Sequence, residues 1–275
     1  MIKKLAYVLA VSVLLTSCAP TTPVQVVPTG AVPTSIPVPT STLSEVVTAT
    51  MFPPETVAGL TVITRKVWGA PEMDPLRFRT WQGESFDALT MGWGDDFTFH
   101  WLNDILGMEL DVGNDKYIAQ EIYNNDGTGQ VALTLNGDEI YKIDAGHGSP
   151  ISALRGIWSY DDHWVLETNY YTDETPFNGR ISQDGILLND ANGYEEAFNF
   201  QTVNGRPFYF FKKDGSIDAW YDGQIIPLGY EKIPHYSCCS EAELNPRMWK
   251  NMVAFFGIRG KEWYFVQIGT PDSFQ

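Results

Sequence analysis

The sequence predicts an all-β domain built from antiparallel four-stranded repeat units, the make-up of a small β-propeller of four or five blades. Three observations predict it. Helical periodicity is nearly absent beyond residue 56. Short aromatic and β-branched runs recur instead, broken by Asn-Gly, Asp-Gly and Asp-Asp pairs that favour tight hairpin turns. Pairs of such hairpins return roughly every 38 to 55 residues, the spacing of radially stacked small sheets. The same hairpins also fit a β-sandwich, which stays open as the alternative.

Each unit is read as two hairpins. In the first, QVALTLNGDEIYKI turns at Asn136-Gly137 and GIWSYDDHWVLET at Asp161-Asp162. In the second, GRISQDGILLN turns at Asp184-Gly185 and FNFQTVNGRPFYFF at Asn204-Gly205. In the third, SIDAWYDGQIIPL turns at Asp222-Gly223 and NMVAFFGIRGKEWYFVQI at Arg259-Gly260. An earlier copy is expected upstream, with turns around Gly94-Asp95 and Asn114-Asp115. Gly193-Tyr194-Glu195 and Gly229-Tyr230-Glu231 echo one another after the first hairpins of the second and third copies. A strand from Thr61 to Trp68 is expected to close the set, because an open ring leaves two bare sheet edges.

The chain divides into residues 1–17, a leader; 18–55, a stalk; and 56–275, the repeat domain. Lys3 and Lys4 open the leader, Leu5 to Leu15 form an apolar run, and Leu15-Thr16-Ser17-Cys18 closes it. The apolar run, about eleven residues, is too short to span a bilayer and has the pattern of a cleaved secretory signal. Its last four residues resemble the lipobox of bacterial lipoproteins. The resemblance covers Leu15 to Cys18 and implies that the Cys18 thiol carries a lipid and becomes the first residue of the mature protein. It also implies a cell-envelope location outside the cytoplasm, with the membrane as a partner through the anchor. From Ala19 onward the chain is rich in Pro, Thr, Ser and Val, and Glu45 is its first charge after the leader. Closely spaced prolines block helix and favour extended chain, which at about 3.1 Å per residue reaches roughly 100 Å from the lipid.

Asp plus Glu number 34 against 18 Lys plus Arg, a formal charge of −16. That balance opposes nucleic acid as a partner and suits cations or uncharged polymers such as polysaccharides, with a surface protein as the other class. There are three cysteines. With Cys18 assigned to lipid by the resemblance, Cys238 and Cys239 remain as a candidate vicinal disulfide. Their Cα atoms sit about 3.8 Å apart, below the usual disulfide span of about 4.4 Å upward, so such a ring is strained. A weaker alternative is a soft-metal site of His235, Cys238 and Cys239.

Aromatic residues make up 13% of the chain, and most fall on expected strands, where packing between sheets accounts for them. Tyr170, Tyr171, Trp220 and Tyr221 are the candidates for stacking on a ligand. The acidic pairs Asp95-Asp96, Asp161-Asp162 and Glu195-Glu196 raise the question of glycosidase carboxylates, yet the first two read as turns. Asn124-Asn125-Asp126-Gly127 is the nearest approach to a calcium loop and reads as a turn as well. No serine-hydrolase elbow, zinc-protease helix motif or phosphate loop occurs, and no cofactor or catalytic residue is indicated. The sequence therefore points to a non-enzymatic binding module for a glycan, peptide or protein. The alternatives are a carbohydrate-active hydrolase with paired carboxylates, or a structural envelope component.

Overall fold

The computed structural model describes residues 50–67, 97–102, 105–147, 152–174, 177–236, 245–249 and 251–274, and these are almost entirely antiparallel β-sheet. Three short strands lead: β1 (Thr50–Met51), β2 (Glu55–Val57) and β3 (Leu60–Val67). The first sheet then runs β4 (Phe97–Leu102), β5 (Ile105–Val112), β6 (Asp115–Tyr123), β7 (Thr128–Leu135) and β8 (Asp138–His147), paired in chain order. The second holds β9 (Leu154–Tyr160), β10 (His163–Tyr170), β11 (Asn178–Gln183) and β12 (Ile186–Leu187). A short helix, α1 (Leu188–Asn192), leads to the third: β13 (Glu196–Val203), β14 (Arg206–Lys213), β15 (Ser216–Tyr221) and β16 (Gln224–Tyr230). The closing sheet joins both ends of the domain, in the order β1, β3, β19 (Glu262–Gly269), β18 (Met252–Arg259), β17 (Arg247–Trp249). Four sheets form among the described residues, rather than the two of a sandwich.

Turn chemistry explains the hairpins. Asn136, Asp161, Asp162, Asp184, Asn204 and Asp222 all take left-handed φ, between 41° and 65°. Asn and Asp tolerate that region, and two such residues in a row twist a two-residue turn to match its strands. Two turns fall one residue away from expectation: the last hairpin turns at Gly260-Lys261, and the upstream one at Gly113-Asn114. The Gly94-Asp95 turn lies outside the described residues.

The expected repeat register needs correction by one hairpin. Asn136-Gly137 closes the last hairpin of the first sheet, whereas Asp161-Asp162 opens the second. The other two expected units are split between sheets in the same way. The cause is a further hairpin turn, Asp214-Gly215 (φ 51° and 76°), which joins β14 to β15 within one sheet. A strand forms over the residues expected from Thr61 to Val67, and Trp68 lies outside the described residues: β3 pairs along its length with β19, from Trp263↔Val67 to Gly269↔Thr61. Ordered structure starts before residue 56, because β1 and β2 share the free edge of β3 on either side of Pro53-Pro54. Proline lacks the N–H the ladder needs, which accounts for the break.

The sheets pack in series. Val131, Leu133 and Met108 of the first sheet meet Leu154, Ile157 and Leu166 of the second. Trp158, Val165 and Ile181 on the other face of the second meet Phe200, Tyr209 and Phe211 of the third. Phe198, Phe208 and Phe210, on the far face of the third, meet Val253, Phe255 and Val266 of the closing sheet. Burying one such ring contributes about 1.5–3 kcal/mol, so each seam is held mainly by apolar area. Close approach also needs glycine: a Cβ at Gly179 on β11 would lie 2.6 Å from the Ala197 carbonyl oxygen on β13.

The echoed Gly-Tyr-Glu segments do equivalent work. Glu195 Oε1 accepts the Gly215 N–H at 2.8 Å, and Glu231 Oε1 accepts the Gly260 N–H at 3.0 Å, each holding a hairpin turn. The backbone N–H groups of the same two glutamates donate to Lys212 O and Ile258 O, both at 2.8 Å. Each segment therefore follows a hairpin, β11–β12 or β15–β16, and its glutamate ties the chain to a later strand, β14 or β18.

Candidate functional site

The seam between the second and third sheets brings together the densest set of polar and aromatic side chains among the described residues. It has two ends of different character. At one end lie the turns Asp161-Asp162, Asp184-Gly185, Asn204-Gly205 and Asp222-Gly223, placed there by the strand pairings. Arg206 crosses this end: its guanidinium lies 3.3 Å from Asp161 of the second sheet and 3.9 Å from Asp222 of the third. His163 Nδ1 lies 2.6 Å from Asp184 Oδ2, and Asp184 Oδ1 also accepts the Trp164 N–H.

Beneath these charges runs a row of rings. Trp220 stacks on Tyr209 (5.1 Å, 16°), Tyr209 on Phe200 (6.4 Å, 19°), and Phe200 on Tyr160 (6.0 Å, 29°). Tyr209 and Phe200 are buried, while Trp220 and Tyr160 are half-buried and form the outer members. The Tyr160 hydroxyl donates to Gln183 Oε1 at 2.9 Å. Ile225, the cross-strand neighbour of Trp220, is 56% exposed and extends the apolar border.

At the opposite end a buried polar junction forms. Val165, Glu167 and Asn169 alternate along one face of β10, and all three are buried. The Glu167 carboxylate accepts the Asn199 N–H (2.8 Å), the Phe200 N–H (2.6 Å) and the Tyr236 hydroxyl. Two β-bulges make this fit. One is in the β9–β10 ladder at Glu167/Thr168; the other, between Phe198 and Gln201, turns the Asn199 and Phe200 amides toward the carboxylate. Arg155, beside the first bulge, covers the Tyr236 ring at 4.6 Å. Burial raises the Glu167 carboxyl above its ordinary value, against the pull of Tyr236, the two amides and Arg155. Burial, and then the neighbouring Glu167 charge, push the Tyr236 phenol well up.

Glu196 and His235 form a second couple there, with Oε1 3.0 Å from Nε2, and the Gly179 N–H donates to the same Oε1. Phe177, Asn199 and Tyr236 are the described non-glycine residues with positive φ that lie outside hairpin turns, and all three border this junction. Strain of that kind persists only where the surroundings over-determine it.

The sequence-predicted residues divide between these places. Trp220 lies on the aromatic row. Tyr221 points the other way, 7% exposed, with its hydroxyl donating to Val203 O, so it packs in the core and offers no stacking face. Tyr170 carries the Arg180 guanidinium on its ring at 3.7 Å. Tyr171 joins sheets: its N–H donates to Ala145 O and its carbonyl accepts the His147 N–H. Tyr171 thus joins the first and second sheets through its main chain, and one face of the Tyr170 ring is covered by Arg180. Asp161-Asp162 is a turn, as expected. Asp126 accepts the Thr128 N–H and hydroxyl, which makes its loop a turn held by its own side chains.

His235 turns both ring nitrogens to protein oxygens, Nδ1 to Ile233 O at 2.6 Å and Nε2 to Glu196, so the imidazole presents no lone pair to a soft metal. Among the described residues no cluster of three or more His, Cys, Asp or Glu is placed to hold a metal ion, and no helix is long and apolar enough to cross a membrane. Cys18, Cys238, Cys239 and Asp95-Asp96 lie outside the described residues. Glu167, Arg155, Asn169 and Tyr160 were not singled out from the sequence. The available signal was two polar residues, Glu167 and Asn169, two positions apart on a strand that opens with Trp164, Val165 and Leu166 after His163.

No family model matches the chain, and no curated protein matches it in sequence.

Proposed function

We propose that this chain is an extracytoplasmic lipoprotein whose domain binds neutral glycans on the rim between its second and third sheets. The observation that carries the binding reading is the pairing of half-buried Trp220 and Tyr160, each backed by a buried ring, with Arg206, Asp161, Asp222 and His163 beside them. A pyranose has one flat C–H face for an aromatic ring and a rim of hydroxyls for carboxylate and guanidinium groups. Rings held by stacking lose little freedom on binding, which favours affinity. The net charge of −16 and the four turn aspartates disfavour acidic polymers, which leaves neutral sugars as the class.

The architecture around this rim reads as a four-bladed β-propeller. In support, four meander sheets stack in series and the N-terminal strand completes the last of them. On this reading the lipid on Cys18 fixes the protein to a membrane, and the Pro/Thr-rich stalk holds the domain away from it. Cys18→Ser is expected to move the protein from the membrane fraction to the soluble fraction. Retention that only detergent reverses would reject the anchor.

The rim is tested with soluble neutral polysaccharides of several linkages, with alginate and heparin as acidic controls, by titration calorimetry. A neutral polymer is expected to bind, and Trp220→Ala to weaken it by about tenfold, equal to about 1.4 kcal/mol, with little change in melting midpoint. Binding that survives both Trp220→Ala and Tyr160→Ala, or preference for the acidic polymers, rejects this site.

One observation favours hydrolysis as a second reading. Glu167 and Glu196 have their carboxyl values displaced in opposite directions, as an acid and a base would. Against it, Glu167 is 2% exposed and accepts from three protein donors, and the Glu196 oxygen is shared between His235 and Gly179. Product analysis after incubation with any polymer that binds separates the two readings.

A further inference from the structure

We infer that His235 and Glu196 form a proton-dependent latch that pins the segment 231–236 across the third and closing sheets. The geometry of His235 carries this. Its Nδ1 lies 2.6 Å from the Ile233 carbonyl oxygen and its Nε2 lies 3.0 Å from Glu196 Oε1. Both partners are acceptors, so the ring bonds both of them only when both nitrogens carry a proton. The ring lies flat on Phe198, with centroids 3.6 Å apart and planes 2° apart, and the exposures of the His235 and Glu196 side chains are 11% and 13%. A ring clamped in this way cannot turn to keep both bonds once one proton leaves.

What the latch holds is specific. Lys232 donates its N–H to Ile258 O and accepts the Ile258 N–H, forming an isolated bridge on the edge of β18. Tyr236 reaches Glu167 on the second sheet, and Pro234 O accepts from Asn245 at 2.7 Å. Segment 231–236 is therefore tied to three sheets, and His235 lies between its attachments.

The charged groups around it act in known directions. On β13, Glu196 is pushed up by burial but held below the usual carboxylate range by the His235 charge and bond, by the Gly179 N–H, and by Lys212 on β14. A carboxyl with a lowered folded value contributes stability that is present above its unfolded value, about 4.3, and is lost as pH falls through the folded one. On β10, Glu167 is raised, so its contribution is present below the unfolded value and is lost as pH rises. Arg155 on β9 and the neighbouring Tyr236 complete the set. The latch is thus closed only while Glu196 is ionised and both imidazole nitrogens carry a proton: protonation of Glu196 opens it in acid, and loss of either ring proton opens it as well. Glu167 changes in the same alkaline direction, so the ring nitrogens of His235 must be observed directly.

The experiment is nitrogen NMR of the histidine side chains in the native protein, with His235 assigned by its loss in His235→Gln. Amide exchange protection is followed at Lys232 and Ile258 over the same pH series. Both nitrogens of His235 are expected to carry a proton wherever the two amides are protected. Protection of the two amides is expected to fall at least tenfold across the pH step at which one ring nitrogen is seen to lose its proton. Glu196→Gln is expected to make protection low and insensitive to pH. A singly protonated ring at a pH where the amides are protected, or protection that stays flat while the ring loses a proton, overturns the latch. Both of those readings come from the native chain and do not depend on either variant folding.

Discussion

Glu167→Ala is expected to cost about 4 kcal/mol of folding stability, the largest loss from any single carboxylate in the domain. The substitution removes one group and strands several. The Asn199 and Phe200 N–H groups lose their acceptor, the Tyr236 hydroxyl loses its own, and Arg155 loses the negative charge that faces it. An unsatisfied buried donor costs about 1–3 kcal/mol, and breaking one side of a buried charge couple about 3–5 kcal/mol. These overlap, because the same desolvation is counted in both, so the total stays near the upper single figure. The carboxylate itself is costly to bury, as its raised value indicates, which keeps the loss from being larger. For a domain of this size each 1 kcal/mol moves the melting midpoint by about 2–4 °C, so the expected drop is roughly 8–16 °C. Glu195→Ala is the control. Its carboxylate is exposed and caps one turn, so its loss should stay near 1 kcal/mol. If denaturant unfolding gives the two variants similar losses, Glu167 does not join the sheets.

The contrast between those two glutamates also explains what was legible in the sequence. Hairpins were legible because each turn is decided by two residues: Asn136-Gly137 or Asp222-Gly223 needs no information from elsewhere. The grouping of hairpins into sheets was harder. It depends on which connections are tight turns and which are crossings, and Lys213-Asp214-Gly215-Ser216 holds a turn as strong as the others. Counting it puts β13 to β16 in one sheet, which residues 188–195 and 231–246 bound. The strand at residues 61–67 was legible from the need to cover an edge. That β1 and β2 share the other edge of β3 was not, because Pro53-Pro54 masks the strand on either side.

The candidate site was less legible for a physical reason. Glu167 works through main-chain N–H groups that face it only because β13 bulges at Asn199, and a bulge depends on packing more than on composition. Trp220 and Tyr221 are adjacent, and alternation says that one faces each way, but nothing local says which face meets the core. Tyr221 meets the closing sheet and Trp220 the aromatic row because β14 places Phe208 and Phe210 on one side and Tyr209 on the other. His235 stands out in the sequence for its spacing from Cys238, while its ring nitrogens face Ile233 O and Glu196.

Asn245→Ala is expected to cost about 3–4 kcal/mol, a large effect for a side chain with no charge. The β18 edge of the sheet that holds β3 and β19 is assembled from pieces: Lys232 bridges Ile258, and β17 pairs only Arg247 to Trp249 with β18. Between these, the Asn245 side chain does the work of a missing peptide. Its Oδ1 accepts the Phe256 N–H at 2.7 Å, and its Nδ2 donates to Phe256 O at 3.0 Å and to Pro234 O at 2.7 Å. Asn189 does the same beyond two-residue β12, accepting from Ile181 N–H at 3.2 Å and donating to Gly179 O at 3.0 Å. Both asparagines are buried, and an amide is the one side chain that offers the donor and acceptor of a peptide unit side by side. Alanine fits the space but leaves up to three buried main-chain groups without this partner, at about 1–3 kcal/mol each before relaxation. Aspartate keeps the acceptor for Phe256 N–H but turns a carboxylate toward two carbonyl oxygens, so it is expected to be no better than alanine. Asn192→Ala provides the baseline. Its exposed amide makes one bond to Leu188 O, and the expected loss is below about 1 kcal/mol. Denaturant midpoints for the three variants decide the matter. Should Asn245→Asp match the native protein, the bonds to Pro234 O and Phe256 O carry no weight, and this edge is held by Lys232 and β17 alone.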